Sequence, residues 1–357
     1  MRDVTPPEPE ATGAGFLRAL IRDEGGSITV ERFMQEALYH PRHGYYSRRV
    51  RTVGREGDFS TSATLHPALG QAVAAWAIAH RAEVVQRGAW HLIELGGGNG
   101  QLAAEVLRSV SWWPRRGLRY HLVEISEGLR ATQQARLRRY GRRVQWHADL
   151  RSALAAAGGR ALIFSNEFVD AFPCVQLVHG PRFGEWQEVR VQWPEGARHP
   201  SETVAAWQGA PPDLGSGFAP SVGQRVETYQ AYARWLQEGI GNWRAGRLLT
   251  IDYGDVPPAL YRRKPHGTLR GYCRHQRIIG PEIYQRFGQQ DLTADVNFAD
   301  LQRWGEASGL QTHSLSTQTD FLHRWLPSRV NTDPTLDFLL DPDGAGGAFK
   351  VLEQMRS

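Results

Sequence analysis

Gly96, Gly98 and Gly100 follow a short apolar run at alternate positions, and a helical pattern over 102–108 follows them. Missing side chains let the backbone bend tightly and let a ligand reach the N–H groups at a helix start. A dinucleotide fingerprint needs G-x-G-x-x-G, but here the third glycine comes one residue early and Gln101 stands after it. Two acids then stand at strand ends. Glu124 can accept hydrogen bonds from both hydroxyls of a ribose, a feature common to NAD-binding and S-adenosylmethionine-binding folds. Asp149, in "WHADL", could take the exocyclic amine of adenine. With acids at ribose and amine and no arginine or lysine fork beside the glycines, the expected ligand lacks a pyrophosphate; S-adenosyl-L-methionine meets that description. A plainer reading stays open, in which the glycines serve close packing and the acids are merely solvated.

These side chains need strands to carry them. From residue 90 the pattern becomes short apolar runs alternating with helical segments, the signature of a parallel sheet covered on both faces. Strands are expected over 91–95, 119–124, 144–147, 162–165 and 247–252, with ligands at their carboxyl edge. Ahead of them, Phe16, Leu17, Leu20 and Ile21 form one helical stripe, "TVERFMQEALYH" forms another helix behind Thr29, and 67–86 reads as a longer buried helix. Between the fourth and fifth strands, "VQLVHGPRFGEWQEVRVQW" alternates like a hairpin, "PEGARHPSETVAAWQGAPPDLGSGFAP" reads as loop, and a helix is expected over 222–239. "HSLSTQTDFLHRWL" supplies a helix, 327–347 a mobile connection and "AFKVLEQM" a last strand. The expected division is 1–89 (helical region and cofactor-covering loop), 90–172 (cofactor-binding core), 173–246 (insertion on the substrate side) and 247–357 (the rest of the core).

Composition narrows the classes. The chain has 357 residues, a net charge of +5 and 41% apolar residues, as in a globular protein. Only Lys264 and Lys350 among the 42 basic residues are lysines. The densest basic run, "LRATQQARLRRYGRR", reads as the solvated face of a surface helix, and no nucleic-acid-binding signature accompanies it. Cys174 and Cys273 stand alone, with no C-x-x-C and no H-E-x-x-H, so neither a metal site nor a disulfide framework is expected and a reducing cytoplasm fits. The first residues lack a signal or transit pattern, and the longest uncharged run, 59–80, is too polar to span a bilayer.

Several stretches, in order, resemble one family: the MidA-like class I S-adenosylmethionine-dependent methyltransferases, which include the mitochondrial factor that methylates an arginine in a respiratory complex I subunit. They are "ITVERFMQEALYHPRHGYYS", "GREGDFSTS", "IELGGGNGQL", "VEISEGLR", "SNEFVDAFP", "IDYG", "GTLRGYCRH", "DLTADVNF" and "FKVLEQ". The resemblance implies an α/β fold, a seven-stranded class I methyltransferase (Rossmann-like) sheet with an added helical and hairpin subdomain over the cofactor. It assigns Glu94, Gly96, Gly98, Gly100, Glu124, Asp149, Leu150 and Asn166 to the cofactor, and Gly57, Asp58, Thr61 and Ser62 to a loop closing over it. Glu167 and Asp170 complete the Asn-Glu-Phe-x-Asp motif. The chain reads "TSAT" where the family commonly has "TSPE", so that Ala63 and Thr64 replace a proline and an acid.

Methyl transfer from a sulfonium is an in-line displacement, for which an enzyme aligns the acceptor and excludes water. A guanidinium acceptor would need carboxylates to orient it and favour a free lone pair. Glu167 and Asp170, three apart at a helix opening, can share one side. On spacing alone the preferred reading is plainer, with Asp170 a helix-start residue stabilised by the macrodipole and Glu167 solvated; the resemblance reverses that preference toward the catalytic role. Asp252, Tyr253, Arg270, Tyr272, Arg274 and His275 are candidates to line the acceptor channel, with His275 a possible base. Asp291 and Asp295 are read as fixing their loop. The implied partner is a protein substrate, with a respiratory complex subunit as a candidate. A non-catalytic assembly factor and a small-molecule methyltransferase are the alternatives.

Overall fold

The run Trp90–Leu95 buries every side chain but His91, as a strand covered on both faces must. In the computed structural model, which describes residues 12–48, 66–182, 184–273, 276–326 and 334–356, this run is the first strand of a large sheet. The second (Leu118–Val123), third (Val144–His147), fourth (Leu162–Asn166) and fifth (Gly246–Asp255) strands follow, then the sixth (Gln311–Thr317) and seventh (Phe349–Arg356). Their spatial order is third, second, first, fourth, fifth, seventh, sixth; a two-residue strand, Val296–Asn297, also pairs with the fifth. The first five are mutually parallel and the seventh runs antiparallel to both its neighbours. This is the seven-stranded α/β sheet of class I methyltransferases.

The order reverses at the first strand, whose neighbours are the second and the fourth, so the carboxyl ends of these three strands border the crevice where open α/β sheets bind ligands. Helices Ala68–His80 and Gln101–Ser109 pack with the sheet in a core holding Trp76, Trp90, Leu92, Tyr120 and Phe164. On adjacent strands, ring nitrogens of His91 and His121, and of His121 and His147, lie 2.9 Å apart. Burial pushes His121 down to about 3, so neutral imidazoles bridge three strands.

The chain forms two compact units. One contains the large sheet and draws on Arg51–Asp170, Tyr232–Val256 and Val296–Ser357; the other draws on Met1–Val50, Ala171–Ala231 and Pro257–Asp295. In the second unit Thr29 caps the helix Val30–Tyr39 by accepting from the Arg32 N–H at 3.0 Å. The expected hairpin is present as Val175–His179 and Trp186–Gln192, extended by Ser27–Thr29, Ser201–Ala206 and Arg225–Thr228 into a five-stranded sheet. A three-stranded sheet (Arg270–Cys273, Gln276–Ile279, Asp291–Thr293) belongs to the same unit. Buried Glu227 ties its parts, accepting from Gln176 Nε2 at 2.9 Å and from the Thr268 N–H and hydroxyl.

Several expectations are corrected. The helix expected over 222–239 is a strand, Arg225–Thr228, followed by the helix Gln230–Gly239, because Val226 and Glu227 alternate into a sheet edge. The stretch read as loop contains the strand Ser201–Ala206, zipped along residues 187–192 of the strand Trp186–Gln192. "HSLST" lies in the sixth strand and only the residues after it are helical. The stretch read as a mobile connection carries the helices Pro334–Leu340 and Ala345–Ala348. The units also cut across the four consecutive segments expected. The helix Gln230–Gly239 falls almost wholly in the sheet unit, while 257–295 joins the hairpin.

Candidate active site at the sheet's carboxyl edge

Beyond Leu95 the chain turns on three glycines with left-handed φ angles, 65° at Gly96, 51° at Gly98 and 77° at Gly100. The Gly96 N–H still donates to Val123 O at 3.0 Å, so the turn starts locked to the second strand. A Cβ on Gly96 would lie 2.6 Å from the Phe168 ring, whereas one on Gly98 would meet nothing within 4 Å. Gly96 is thus demanded by packing. Gly98 faces open space, where a ligand can approach the backbone.

Glu124, one residue past the second strand, is buried, and burial pushes its carboxyl up. Its Oε1 accepts from the Ser126 N–H at 2.9 Å and its Oε2 from Gln133 Nε2 at 3.1 Å. A carboxylate has about four acceptor positions and the Ile125 N–H also bonds to this one, so capacity remains for a ribose hydroxyl. The same Gln133 Nε2 donates to Gly98 O at 2.8 Å, and Gln133 Oε1 accepts from Trp146 Nε1 at 3.0 Å. Gln133 therefore joins Glu124 to the glycine turn. It lies within the run read as a solvated face, yet Leu129, Gln133 and Leu137, four apart, form a buried stripe, and that spacing was the available signal.

Below the turn, Glu94 is buried and accepts from the Tyr120 hydroxyl at 2.6 Å. Burial, with Glu124 nearby, pushes it up to about 7. It forms the floor of the turn. Asp149 is exposed and caps the helix Leu150–Ala156, its Oδ1 accepting from the Ser152 N–H at 2.7 Å, and that bond holds the carboxyl low. The Leu150 side chain is buried.

The fourth strand ends at Asn166, whose buried Oδ1 has no hydrogen-bond partner among the described residues. A buried acceptor of this kind calls for a donor, and the amino group of the cofactor's methionine part fits. Glu167 follows with φ 50°, a left-handed conformation in a residue with a side chain. Two anchors hold it. Its N–H donates to Ile251 O at 3.0 Å, and beyond it the N–H groups of Phe168 and Val169 donate to Asp252 Oδ2 at 3.2 and 3.0 Å. The Tyr253 hydroxyl donates to Asp170 Oδ2. Phe168, the residue that needs Gly96 bare, also meets Trp235 edge-on at 5.3 Å between ring centroids. The glycine turn and the acid loop therefore share one packed floor.

Asp252 is a correction: it does not line an acceptor channel but is fully buried and accepts backbone N–H groups, including that of Tyr253 at 3.0 Å. Burial first, then the neighbouring Asp170 and Glu167, push its carboxyl well up. Three carboxylates thus crowd one turn. In the other unit, Asp291 accepts from the Tyr46 hydroxyl at 2.8 Å, and Asp295 pairs with Arg270 at 2.7 Å, as loop-fixing residues would. Gly57, Asp58, Thr61, Ser62, Arg274 and His275 lie outside the described residues, as do Ala63 and Thr64. No group of His, Cys, Asp and Glu suited to a metal ion occurs among the described residues.

Comparison with known proteins agrees with this geometry. Residues 71–316 match the family described as S-adenosyl-L-methionine-dependent methyltransferase. The chain is 29% identical, over 85% of its length and 74% of the relative's, to the Drosophila melanogaster protein named protein arginine methyltransferase NDUFAF7 homolog, mitochondrial. It is 28% identical to the Mus musculus protein arginine methyltransferase NDUFAF7, mitochondrial, over 92% and 76% of the two chains. A Burkholderia thailandensis protein crystallised with S-adenosyl-homocysteine superposes with a TM-score of 0.83 at 27% identity, covering 99% of this chain and 95% of that one. The chain belongs to the MidA-like S-adenosyl-L-methionine-dependent methyltransferases, and S-adenosyl-L-methionine is its cofactor.

Proposed function

We propose that this methyltransferase acts on a protein substrate and that the acceptor is an arginine side chain. The observation that carries the reading is the acid loop Glu167–Asp170, braced by Asp252 and packed through Phe168 against the glycine turn. The names of the relatives, protein arginine methyltransferases, support it.

When bound, S-adenosyl-L-methionine supplies a methyl group on a sulfonium, open to in-line attack by a nitrogen lone pair. Gly98, Glu124 and Asn166 would hold it, with Asp149 available to the adenine. A guanidinium keeps its proton at any physiological pH and has its lone pairs delocalised, so the protein must orient it and localise its charge. Glu167 and Asp170 do this by charge-assisted hydrogen bonds, which fix the plane of the group. The Tyr253 hydroxyl steadies Asp170, and Asp252 holds the backbone that aims both acids. The proton released from the acceptor nitrogen passes to one of these carboxylates.

A protein of a respiratory complex is the first substrate to try, and the cytoplasm remains the proposed compartment, which the two free cysteines suit. Incubating the enzyme with labelled methyl donor and cell lysate should label a discrete protein band whose digest yields methylarginine. Glu167→Gln and Asp170→Asn should each lower turnover about 10²-fold or more, with S-adenosyl-homocysteine affinity unchanged. Label confined to small molecules would refute the reading.

A further inference from the structure

The edge of the large sheet opposite the active site carries features that catalysis does not use. The second strand is preceded by the short helix Trp112–Gly117, and the third by the turn Arg138–Arg143; the two strands are parallel neighbours, so both approaches lie on the same amino-terminal rim. Trp112 and Trp113 are 64% and 70% exposed. Their outward pose is held from below: Trp90 Nε1 donates to Pro114 O at 2.8 Å, and Arg115 Nε donates to Val110 O at 2.8 Å. No acid occurs between Glu105 and Glu124 or between Glu127 and Asp149, whereas those intervals contain ten arginines. Arg116, Arg138, Arg142 and Arg143 enter no ion pair among the described residues, while the acids Glu83 and Glu105 are paired, with Arg247 and Arg108.

The geometry points to this rim as a docking surface for an anionic phospholipid bilayer. Indoles favour the headgroup layer, where the ring is sheltered and the N–H stays wet, and arginines on an aliphatic stem reach phosphates from the same depth. The charge complement is one-sided, as an anionic surface requires. Single-stranded nucleic acid fits less well. The Arg116 guanidinium lies 3.8 Å from the Trp112 ring centre and covers the face on which a base would stack. The two indoles are also tilted by 42° to each other and form no continuous platform. Docked in this way, the unit would turn the carboxyl edge of its sheet, with Glu124 and Glu167, away from the membrane.

The test is sedimentation of the full chain with phosphatidylcholine vesicles, with and without phosphatidylglycerol, at low and high salt. Binding is expected to the anionic vesicles only and to weaken with salt. Arg138→Gln, Arg142→Gln and Arg143→Gln together should lower vesicle affinity about a hundredfold, each cation contributing a factor of about five. Trp112→Ala with Trp113→Ala should lower it at least about tenfold. Both variants should bind S-adenosyl-homocysteine as the parent does, which shows that the fold is intact. Absence of vesicle binding, undiminished binding by the variants, or binding of a single-stranded oligonucleotide in place of vesicles would overturn the assignment.

Discussion

Glu167 occupies a backbone conformation that costs a residue with a side chain about 1 kcal/mol or more. Glu167→Gly should therefore leave stability unchanged or raise it by up to about 1 kcal/mol in urea denaturation, while methyl transfer is lost. A loss of stability would mean that the carboxylate is a structural group. Glu124 is the opposite case, an acid whose local bonds are good and whose proposed work is to hold the ribose. Glu124→Ala should weaken S-adenosyl-homocysteine binding by about 1.5–3 kcal/mol, read by calorimetry, and unchanged affinity would place the ribose elsewhere. The placement of both acids was legible in the sequence because each follows directly on a strand, and a strand's end fixes which edge its next residue meets. Gln133 was not. A glutamine in an arginine-rich helix gains its meaning only when the buried stripe of Leu129 and Leu137 turns it toward Glu124 and Gly98.

The glycine turn makes two different demands on adjacent stretches of one element. Gly96→Ala meets both a left-handed φ and the Phe168 ring at 2.6 Å. It should cost at least about 2–3 kcal/mol of stability, combining the αL penalty with overpacking, and disturb the acid loop as well. Gly98→Ala meets only the φ penalty of about 1–2 kcal/mol, and its larger effect should fall on cofactor affinity, since the new methyl projects where the ligand would lie. Comparing denaturation with S-adenosyl-homocysteine titration for the two variants checks the contrast; equal losses of affinity relative to stability would contradict it. The elements that carry the site were readable from short apolar runs ending in glycine or acid. Those of the five-stranded sheet were read less well. Ser201–Ala206 and Arg225–Thr228 are short and partly polar, and they are strands because partners elsewhere in the chain hydrogen-bond to them.

At the scale of the whole molecule, one buried group sets a pH dependence. Glu94 has a native pKa of about 7 against 4.5 when unfolded. Between those values the native state keeps a proton that the unfolded chain has released, so stability falls as pH rises through the window, by on the order of 3 kcal/mol in all. Glu94→Gln removes the titration and can still accept from Tyr120. Its urea midpoint should therefore change less between the acid and alkaline sides of the window than that of the parent. Equal slopes would locate the proton elsewhere.

The amino-acid sequence by itself determined the parallel sheet, its carboxyl edge and the choice of acids over cations around a bare turn. These follow from periodicity and from what strand ends can present, which are local properties. Tertiary structure decided what each acid does. Asp252 reads like Glu124, an acid at the end of a strand, yet burial and the N–H groups of the Glu167 loop make it a brace, whereas Asp149, left at the surface, caps a helix. It also decided that 171–231 and 257–295 share a unit apart from the sheet, because pairing between distant segments depends on which edges meet, and no local pattern records that.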